Sequence, residues 1–390
     1  MERKMDWRKL FFRSLSYLLV AAVASVVSLA LWGGRYSKLT ELEEIISEKY
    51  IGQYEKEKVE NAAAKAMVNA LQDRWSGYLT PQEYLDHKQS SANTYVGIGI
   101  TITRREDGSG MDILEVAPGG AAQEAGVLPG DILVFAQGQS LQDMDTDGVK
   151  ALIVGEEGKP VTLTVLRDGA EMNFSMTCRN IKVTVASGEM REGNIGLVRI
   201  SNFNAGCGEE TIGVIEDLQK QGAAALIFDV RNNPGGYVSQ MLKVLDSLLP
   251  EGVLFREVDY RGNERTMRSD AACLDMPMAV LVNGNSYSAA EFFAACLREY
   301  DRATVVGQQT TGKGYYQTTL PLSDGSAVHL STGKYFTPNG VSLTEAGGLT
   351  PDVPVEVDEK TAALIYAQAV PAAEDAQIQA AVALLAKTEG

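Results

Sequence analysis

Apolar residues change their period several times along the chain, and each change marks a different kind of element. Leu15 to Trp32 is almost wholly apolar, and no charge falls in the 21 positions between Arg13 and Arg35. As a helix this stretch is long enough to cross a hydrocarbon core of about 30 Å. Leu39, Leu42, Ile45 and Ile46, and later Val59, Ala63, Ala66, Met67, Ala70 and Leu71, follow at three-to-four spacing, which predicts two amphipathic helices and a connector within residues 35–91. Near Tyr95 the period shortens. YVGIGITITR, MDILEVA, DILVFAQ and PVTLTVLR are short β-branched runs separated by the helical stretches GGAAQEAG and DTDGVKALIVG, so residues 92–180 read as a small strand-and-helix domain.

From residue 181 strands and helices alternate. NIGLVRIS, AALIFDV, MAVLVNG and RATVVG read as strands, and EETIGVIEDLQKQ, VSQMLKVLDSLL and AAEFFAACLREY as the helices between them, the βαβ order of a sheet with covering helices. This domain runs to residue 357, and TAALIYAQAV and AQIQAAVALLAK make residues 358–390 a helical tail. The two helical ends, 35–91 and 358–390, are expected to pack together and to offer a route to a homodimer.

Charge places these domains relative to a membrane. The first 13 residues hold five basic and two acidic side chains, net +3, and by the positive-inside rule they stay cytoplasmic. Residues 14–34 then form a single-pass signal anchor in the cell membrane, with everything after them extracytoplasmic. Ser28-Leu29-Ala30 offers a small-x-small cleavage site, but the apolar run exceeds the usual signal-peptide length of roughly 7–15 residues. The chain of 390 residues carries net charge −16, and no Lys/Arg cluster stands in its globular part, which argues against nucleic acid as a partner. Four scattered cysteines, without a C-x-x-C, indicate neither zinc nor a redox site and read as buried small apolar groups. An extracytoplasmic enzyme also lacks an ATP or NAD pool.

Two glycine-bearing loops fall where predicted strands end, the usual location of sites in α/β folds. They are Arg231-Asn232-Asn233-Pro234-Gly235-Gly236 and Asn283-Gly284-Asn285-Ser286-Tyr287-Ser288. Only His87 and His329 exist, so a triad would have to use His329, whereas a Ser–Lys pair needs no histidine. Ser288 opens a predicted helix, where backbone N–H groups stabilise developing negative charge. Lys313 follows between Gly312 and Gly314, with Gln317 four residues on. A buried lysine loses its proton more readily and can act as base toward the Ser288 hydroxyl, with Gln317 orienting it. The same residues have plainer uses: Ser288-Ala289-Ala290-Glu291 spells a capping box, and Lys313 fits a solvated loop. Gly307 to Lys313 approaches a phosphate loop, but Gly314 stands where a magnesium-binding Ser or Thr is required.

Val96-Gly97-Ile98-Gly99-Ile100, with Gly126-Val127-Leu128-Pro129-Gly130-Asp131 downstream, resembles a PDZ domain over residues 92–180. That resemblance implies a loop whose amides hold a peptide's C-terminal carboxylate while the next strand pairs with the peptide, Ile100 lining the pocket for the last side chain. NGNSYSAAEFFAACLREYDRATVVGQQTTGKGYYQ, with DVRNNPGG, YFTPNG and GLTPDVPV, resembles the carboxy-terminal processing peptidases, serine proteases with an inserted PDZ domain, from about residue 40 to 357.

Carried over by motif, the resemblance implies Ser288 as nucleophile, Lys313 as general base, Gln317 in support, and an oxyanion hole from the Ala289 amide and an amide of the Gly235-Gly236 turn. It also implies the fold class: a multidomain α/β chain with a transmembrane helix, a PDZ-like domain before a crotonase-like, ClpP-like protease core, and helical ends. Tyr287 and Ala290 replace the small residue and the serine that usually flank the nucleophile, and Thr311 replaces an aromatic residue. The expected substrates are proteins with free C-termini, and no metal or cofactor is called for. Peptide binding to the PDZ-like domain is expected to gate the site. A catalytically inactive membrane-tethered PDZ scaffold is the alternative, and it would need neither Ser288 nor Lys313.

Overall fold

The computed structural model describes residues 37–386 and five positions between 17 and 23. The predicted membrane-spanning segment, 14–34, otherwise lies outside the described residues. Among the described residues no helix is long and apolar enough to cross a membrane. Residues Met1–Ala64 form one unit and Lys65–Gly390 another. In the first, the helix Ser37–Lys49 and the start of the helix Lys56–Asn69 are joined by Lys56 Nζ on Glu43, 2.6 Å apart. Their spacing is the one the apolar period predicts.

The second unit departs from a purely helical reading before residue 92. Asp73 ends the helical pattern by accepting from the Trp75 amide and the Ser76 hydroxyl, and Gly77–Leu79 then becomes a strand against His329 to Ala327. Thr80 and Glu83 complete a reciprocal capping box that starts the helix Pro81–Ser91.

The chain next enters the small β domain through Thr94–Gly97 and leaves through Arg179–Lys182. These two strands pair, so the insertion hangs on a two-stranded ribbon. Its antiparallel sheet runs in the order Ile100–Arg104, Met111–Val116, Ile132–Ala136, Pro160–Arg167, Ala170–Thr177. The alternation in PVTLTVLR buries Val161, Leu163 and Val165 against Met111, Leu133 and Val149 of the helix Thr146–Ile153. The GVLPGD turn is held by Asp131, which accepts from the Leu128 amide and takes Arg167 Nε and Nη2 at 2.6 and 2.7 Å.

The larger domain contains a six-stranded sheet. Ala186–Arg191 runs antiparallel at one edge, and Ile195–Ile200, Ala225–Asp229, Met278–Val282, Ala303–Gly307 and Val353–Pro354 follow in parallel. ALIFD and MAVLV are buried throughout, as central parallel strands covered on both faces must be. The helices Cys207–Lys220, Val238–Leu248 and Ala289–Glu299 share one face of the core. The helix Ala376–Leu385 covers the other with Ile378, Ala381 and Leu385. The apolar face of this C-terminal helix, expected to meet the N-terminal helices, is therefore spent on the sheet. A second sheet, Gly77–Leu79, Ala327–Phe336, Gly252–Asp259 and Glu264–Ser269, with Tyr315–Pro321 on Ala327–Phe336, brings up the residues that face the site.

A buried charge cluster fixes the C-terminal helix to a site loop. Arg231 Nε and Nη2 reach Asp229 at 2.8 and 2.6 Å, while Nη1 reaches Asp375 at 2.8 Å and Gln377 at 2.9 Å. Asp375 also caps the helix through the Gln377 and Ile378 amides. Asp375→Ala removes that cap and one of two carboxylates from a buried guanidinium, so a loss of about 3 kcal/mol is expected. Urea unfolding measures it, and a change below ~0.5 kcal/mol would show the cluster to be structurally idle.

Candidate active site

Three loops at the C-terminal ends of parallel strands converge: 231–236 after Ala225–Asp229, 283–288 after Met278–Val282, and 308–314 after Ala303–Gly307. The first two are stitched together. Asn232 N–H donates to Asn283 Oδ1 and Asn283 Nδ2 to Asn232 Oδ1, both at 2.9 Å, and buried Ser286 donates to the Val230 carbonyl at 2.7 Å. Ser288 then starts the helix Ala289–Glu299 at φ +58°, ψ −127°, a conformation that costs a non-glycine residue about 1–3 kcal/mol. Glu291, fully buried, compensates by accepting from the Ser288 amide at 2.9 Å. Gly235 has to be glycine, because a Cβ there would lie 2.8 Å from Ser288 Cβ and 2.9 Å from the Ala289 nitrogen.

Ser288 and Glu291 stand in the capping-box arrangement that the sequence predicts. The Glu291 amide donates to the Ser288 carbonyl at 3.0 Å, while Ser288 Oγ turns to Tyr335 Oη at 2.7 Å. The Ser288 hydroxyl thus has a partner outside its own helix. Glu291 also accepts from Thr310 Oγ1, from the Gly312 amide at 2.7 Å and from the Lys313 amide at 2.9 Å. One carboxylate fixes the backbone of both Ser288 and Lys313.

Lys313 Nζ lies 4.5 Å from the Trp75 ring centre and 5.7 Å from that of Tyr287. Among the described residues no hydrogen bond joins it to Ser288 Oγ. Burial pushes its amine down to about 8, against the pull of the Asp73 and Glu291 charges and with some help from Arg74. Gln317 departs from expectation: its Nε2 donates to the Tyr315 carbonyl and Ser331 Oγ, both at 3.1 Å, rather than meeting Lys313. The reason is a bulge at Tyr316/Gln317 that sets Gln317 opposite Ser331. Ser331 N–H donates to Ser76 Oγ, which donates to Asp73 at 2.6 Å. Burial works against the Asp73 carboxylate, but hydrogen bonds from Ser331, Ser76 and the Trp75 amide, with the Lys313 charge, hold it below its ordinary range.

The Gly235-Gly236 turn distinguishes its two amides. Gly235 N–H donates to Asn233 Oδ1 at 2.8 Å, so it is already occupied. Gly236 N–H and Ala289 N–H have no acceptor among the described residues. His329 stands on the wall of the same cleft, of about 880 Å³, with its Nδ1 on Thr319 Oγ1 at 2.7 Å. Burial, with the His87 and Lys313 charges, pushes its imidazole down to about 4. Its ring is 5.4 Å from that of His87.

In the β domain, Gly97 pairs with Arg179 in the ribbon, and Val96 and Ile98 pack into the domain core. Ile98 is 2% exposed, so its side chain is not free for a ligand. Gly99 takes φ +85°, and Ile100 starts the edge strand and lines a groove of about 310 Å³ with Gly99, Leu114, Val116 and Pro129. The Asp73–Ser76 segment, Glu291 as a brace and Tyr335 as a partner of Ser288 escaped the sequence reading. The one local signal was a tryptophan preceded by the charged pair Asp73-Arg74 where the helical period stops.

The profile of Peptidase family S41 matches residues 194–355, and that of a PDZ domain residues 113–167. The carboxy-terminal processing protease CtpA of Bacillus subtilis is 30% identical over 370 residues, 90% of this chain and 78% of that protein. The chain belongs to the S41 family of carboxy-terminal processing proteases. It is a serine peptidase with a PDZ domain. The carboxyl-terminal-processing protease of Synechocystis is 29% identical over 349 residues, 87% of this peptidase and 80% of its relative. A solved structure from Bacteroides fragilis assigned to the S41 proteases has a TM-score of 0.56 at 16% identity, covering 83% of this chain and 90% of its own, a likeness of fold. The S41 match takes in Ser288, Lys313, Gln317 and Tyr335, but Asp73–Ser76 precede it and the PDZ match begins after Ile100.

Proposed function

We propose that this S41 peptidase works through a Ser288–Lys313 pair and selects proteins by their free apolar C-termini. The observation that carries the reading is the placement of Lys313: a lysine whose amine falls to about 8 stands in one cleft with Ser288 at the start of a helix. Ser288 Oγ attacks the scissile carbonyl and passes its proton to Lys313 Nζ. The oxyanion is met by the Ala289 and Gly236 amides, and Lys313 gives the proton to the leaving amine. Water, deprotonated by Lys313, then opens the ester and Ser288 recovers its proton. Gln317 Oε1, which has no donor among the described residues, is the acceptor for the ammonium once it leaves Trp75.

For the tail, the supporting feature is the sheet order, which leaves Ile100–Arg104 as an edge strand next to Gly99. A peptide added there would bring its carboxylate to the glycine loop. Residues 14–34 anchor the enzyme, with its catalytic domain outside the membrane. The experiment is cleavage of an unstructured protein ending in apolar residues, by the full chain in detergent, with Ser288→Ala as background. Amidating the substrate's C-terminus is expected to lower kcat/KM about tenfold by removing the charge from the tail. Equal cleavage of both forms would remove tail recognition from the reading.

A further inference from the structure

We propose that Tyr335 is a further catalytic residue of this cleft: its phenol donates to Ser288 Oγ throughout the cycle and eases the departure of that oxygen when the acyl-enzyme is hydrolysed. The inference rests on Ser288 as nucleophile and Lys313 as base.

Tyr335 is placed with little freedom. It lies in the strand Ala327–Phe336, opposite Glu257, and its amide donates to the Gly314 carbonyl at 3.0 Å. Its ring meets Phe292 edge-on at 4.6 Å and Phe255 at 5.2 Å, and stacks on Tyr316 at 6.0 Å. Only 2% of the residue is exposed. The ring therefore has a fixed direction, and its hydroxyl ends 2.7 Å from the one atom whose reaction the site organises. Gly314 adjoins Lys313, so the same strand is registered to the lysine loop as well.

Burial drives the phenol well above its ordinary range, so it keeps its proton at the pH, near 8, where Lys313 gives up its own. Tyr335 is then a donor and not a second base. The hydrogen-bonding capacity of a serine oxygen settles the direction: it has one proton and two lone pairs. If Lys313 takes the proton, the contact with Tyr335 must run from the phenol to Oγ, occupying one lone pair and leaving the other for the carbonyl carbon.

The two half-reactions use this bond differently. During acylation Oγ gives up its proton and forms the C–Oγ bond, and a donor that draws on its electrons helps little. During deacylation water adds to the ester carbon, with its proton passing to Lys313. The C–Oγ bond then breaks, the electron pair goes to Oγ, and Lys313 returns the proton. Negative charge grows on Oγ as that bond breaks, so the fixed phenol proton stabilises this transition state more than the ester.

The test is pre-steady-state hydrolysis of p-nitrophenyl acetate and of a tail-bearing peptide by the full chain in detergent, comparing the parent with Tyr335→Phe and Ser288→Ala. Rates are taken per site labelled by a fluorophosphonate, so a partly unfolded preparation still reports. Tyr335→Phe is expected to slow deacylation at least tenfold, giving a p-nitrophenol burst stoichiometric with labelled sites. The acylation rate should change less than threefold, and its pH midpoint should stay at the parent's value. Deacylation within twofold of the parent, or equal slowing of both steps, would overturn the role of Tyr335 while leaving Ser288 and Lys313 in place. Labelling of Ser288→Ala as fast as the parent would instead defeat the nucleophile assignment.

Discussion

Lys313→Met is expected to lower kcat/KM by about 10⁴-fold or more while leaving the fold at least as stable at pH 7. Both halves of this expectation come from the same burial. Trp75 and Tyr287 flank the amine, and burial lowers it to about 8. Neutral amine is then about a tenth of the total at pH 7, compared with well under a hundredth for an ordinary lysine. Activity of the parent should therefore climb close to tenfold per pH unit below about 8 and level off above it. The slope of stability with pH has the same sign as for a salt-bridged carboxylate, but its window lies at higher pH. Between about 8 and the ordinary lysine value of 10.5 the unfolded chain binds the extra proton, so folding gains as pH rises through this window. Below it the parent carries the cost of a partly desolvated ammonium, which methionine removes. A pH–rate profile together with urea titrations at pH 7 and 9.5 checks both. A flat profile from pH 6 to 9, or a methionine variant that still cleaves, would eliminate Lys313 as the base.

Local patterning accounts for much of this architecture because the central elements are self-declaring. The apolar run 223–228, closed by Asp229, and Met278–Val282 are six and five residues long, lengths that suit a strand covered on both faces and are too short for a helix. What the pattern could not carry are pairings over long separations. Gly77–Leu79 is a strand only because Ala327–His329 lies alongside, some 250 residues later. The Asp73–Ser76–Ser331–Gln317 chain is invisible for the same reason. Glycine pairs are ambiguous in another way: Gly235 and Gly236 are equivalent on paper, and the Asn233 side chain decides which amide is free. The capping box at Ser288 illustrates the limit most clearly. Its glutamate is where the motif places it, but Tyr335, 47 residues further on, also reaches the serine hydroxyl, which no local pattern shows.

Glu291 is the second residue from which a large effect is expected, on stability and on rate together. Its carboxylate accepts from four donors on two loops: the Ser288 amide on one, and Thr310 Oγ1 with the Gly312 and Lys313 amides on the other. Burial raises this carboxyl, and those bonds oppose the shift. Four converging donors leave no lone pair for a proton, so the geometry belongs to the ionised form. Glu291→Ala strands the four donors in a site with no exposure, which costs about 4 kcal/mol and releases the strained φ of Ser288. Glu291→Gln separates the two roles. Its amide oxygen still accepts from one pair of donors, so about half the stability loss is expected. Its NH₂ must face the other pair, and neither choice suits the site: one opposes the Ser288 and Lys313 amides directly, the other shifts the Thr310–Gly312 turn that carries Lys313. A fall in kcat/KM of about 10³-fold is therefore expected from the glutamine variant with a fold that persists, because displacing a nucleophile or base by about 1 Å costs roughly 10²-fold and both are displaced here. Fluorophosphonate labelling and urea unfolding on the same preparation distinguish rate from fold. A glutamine variant with kcat/KM within threefold of the parent would mean that Ser288 and Lys313 are aligned by the surrounding loops and not by this carboxylate.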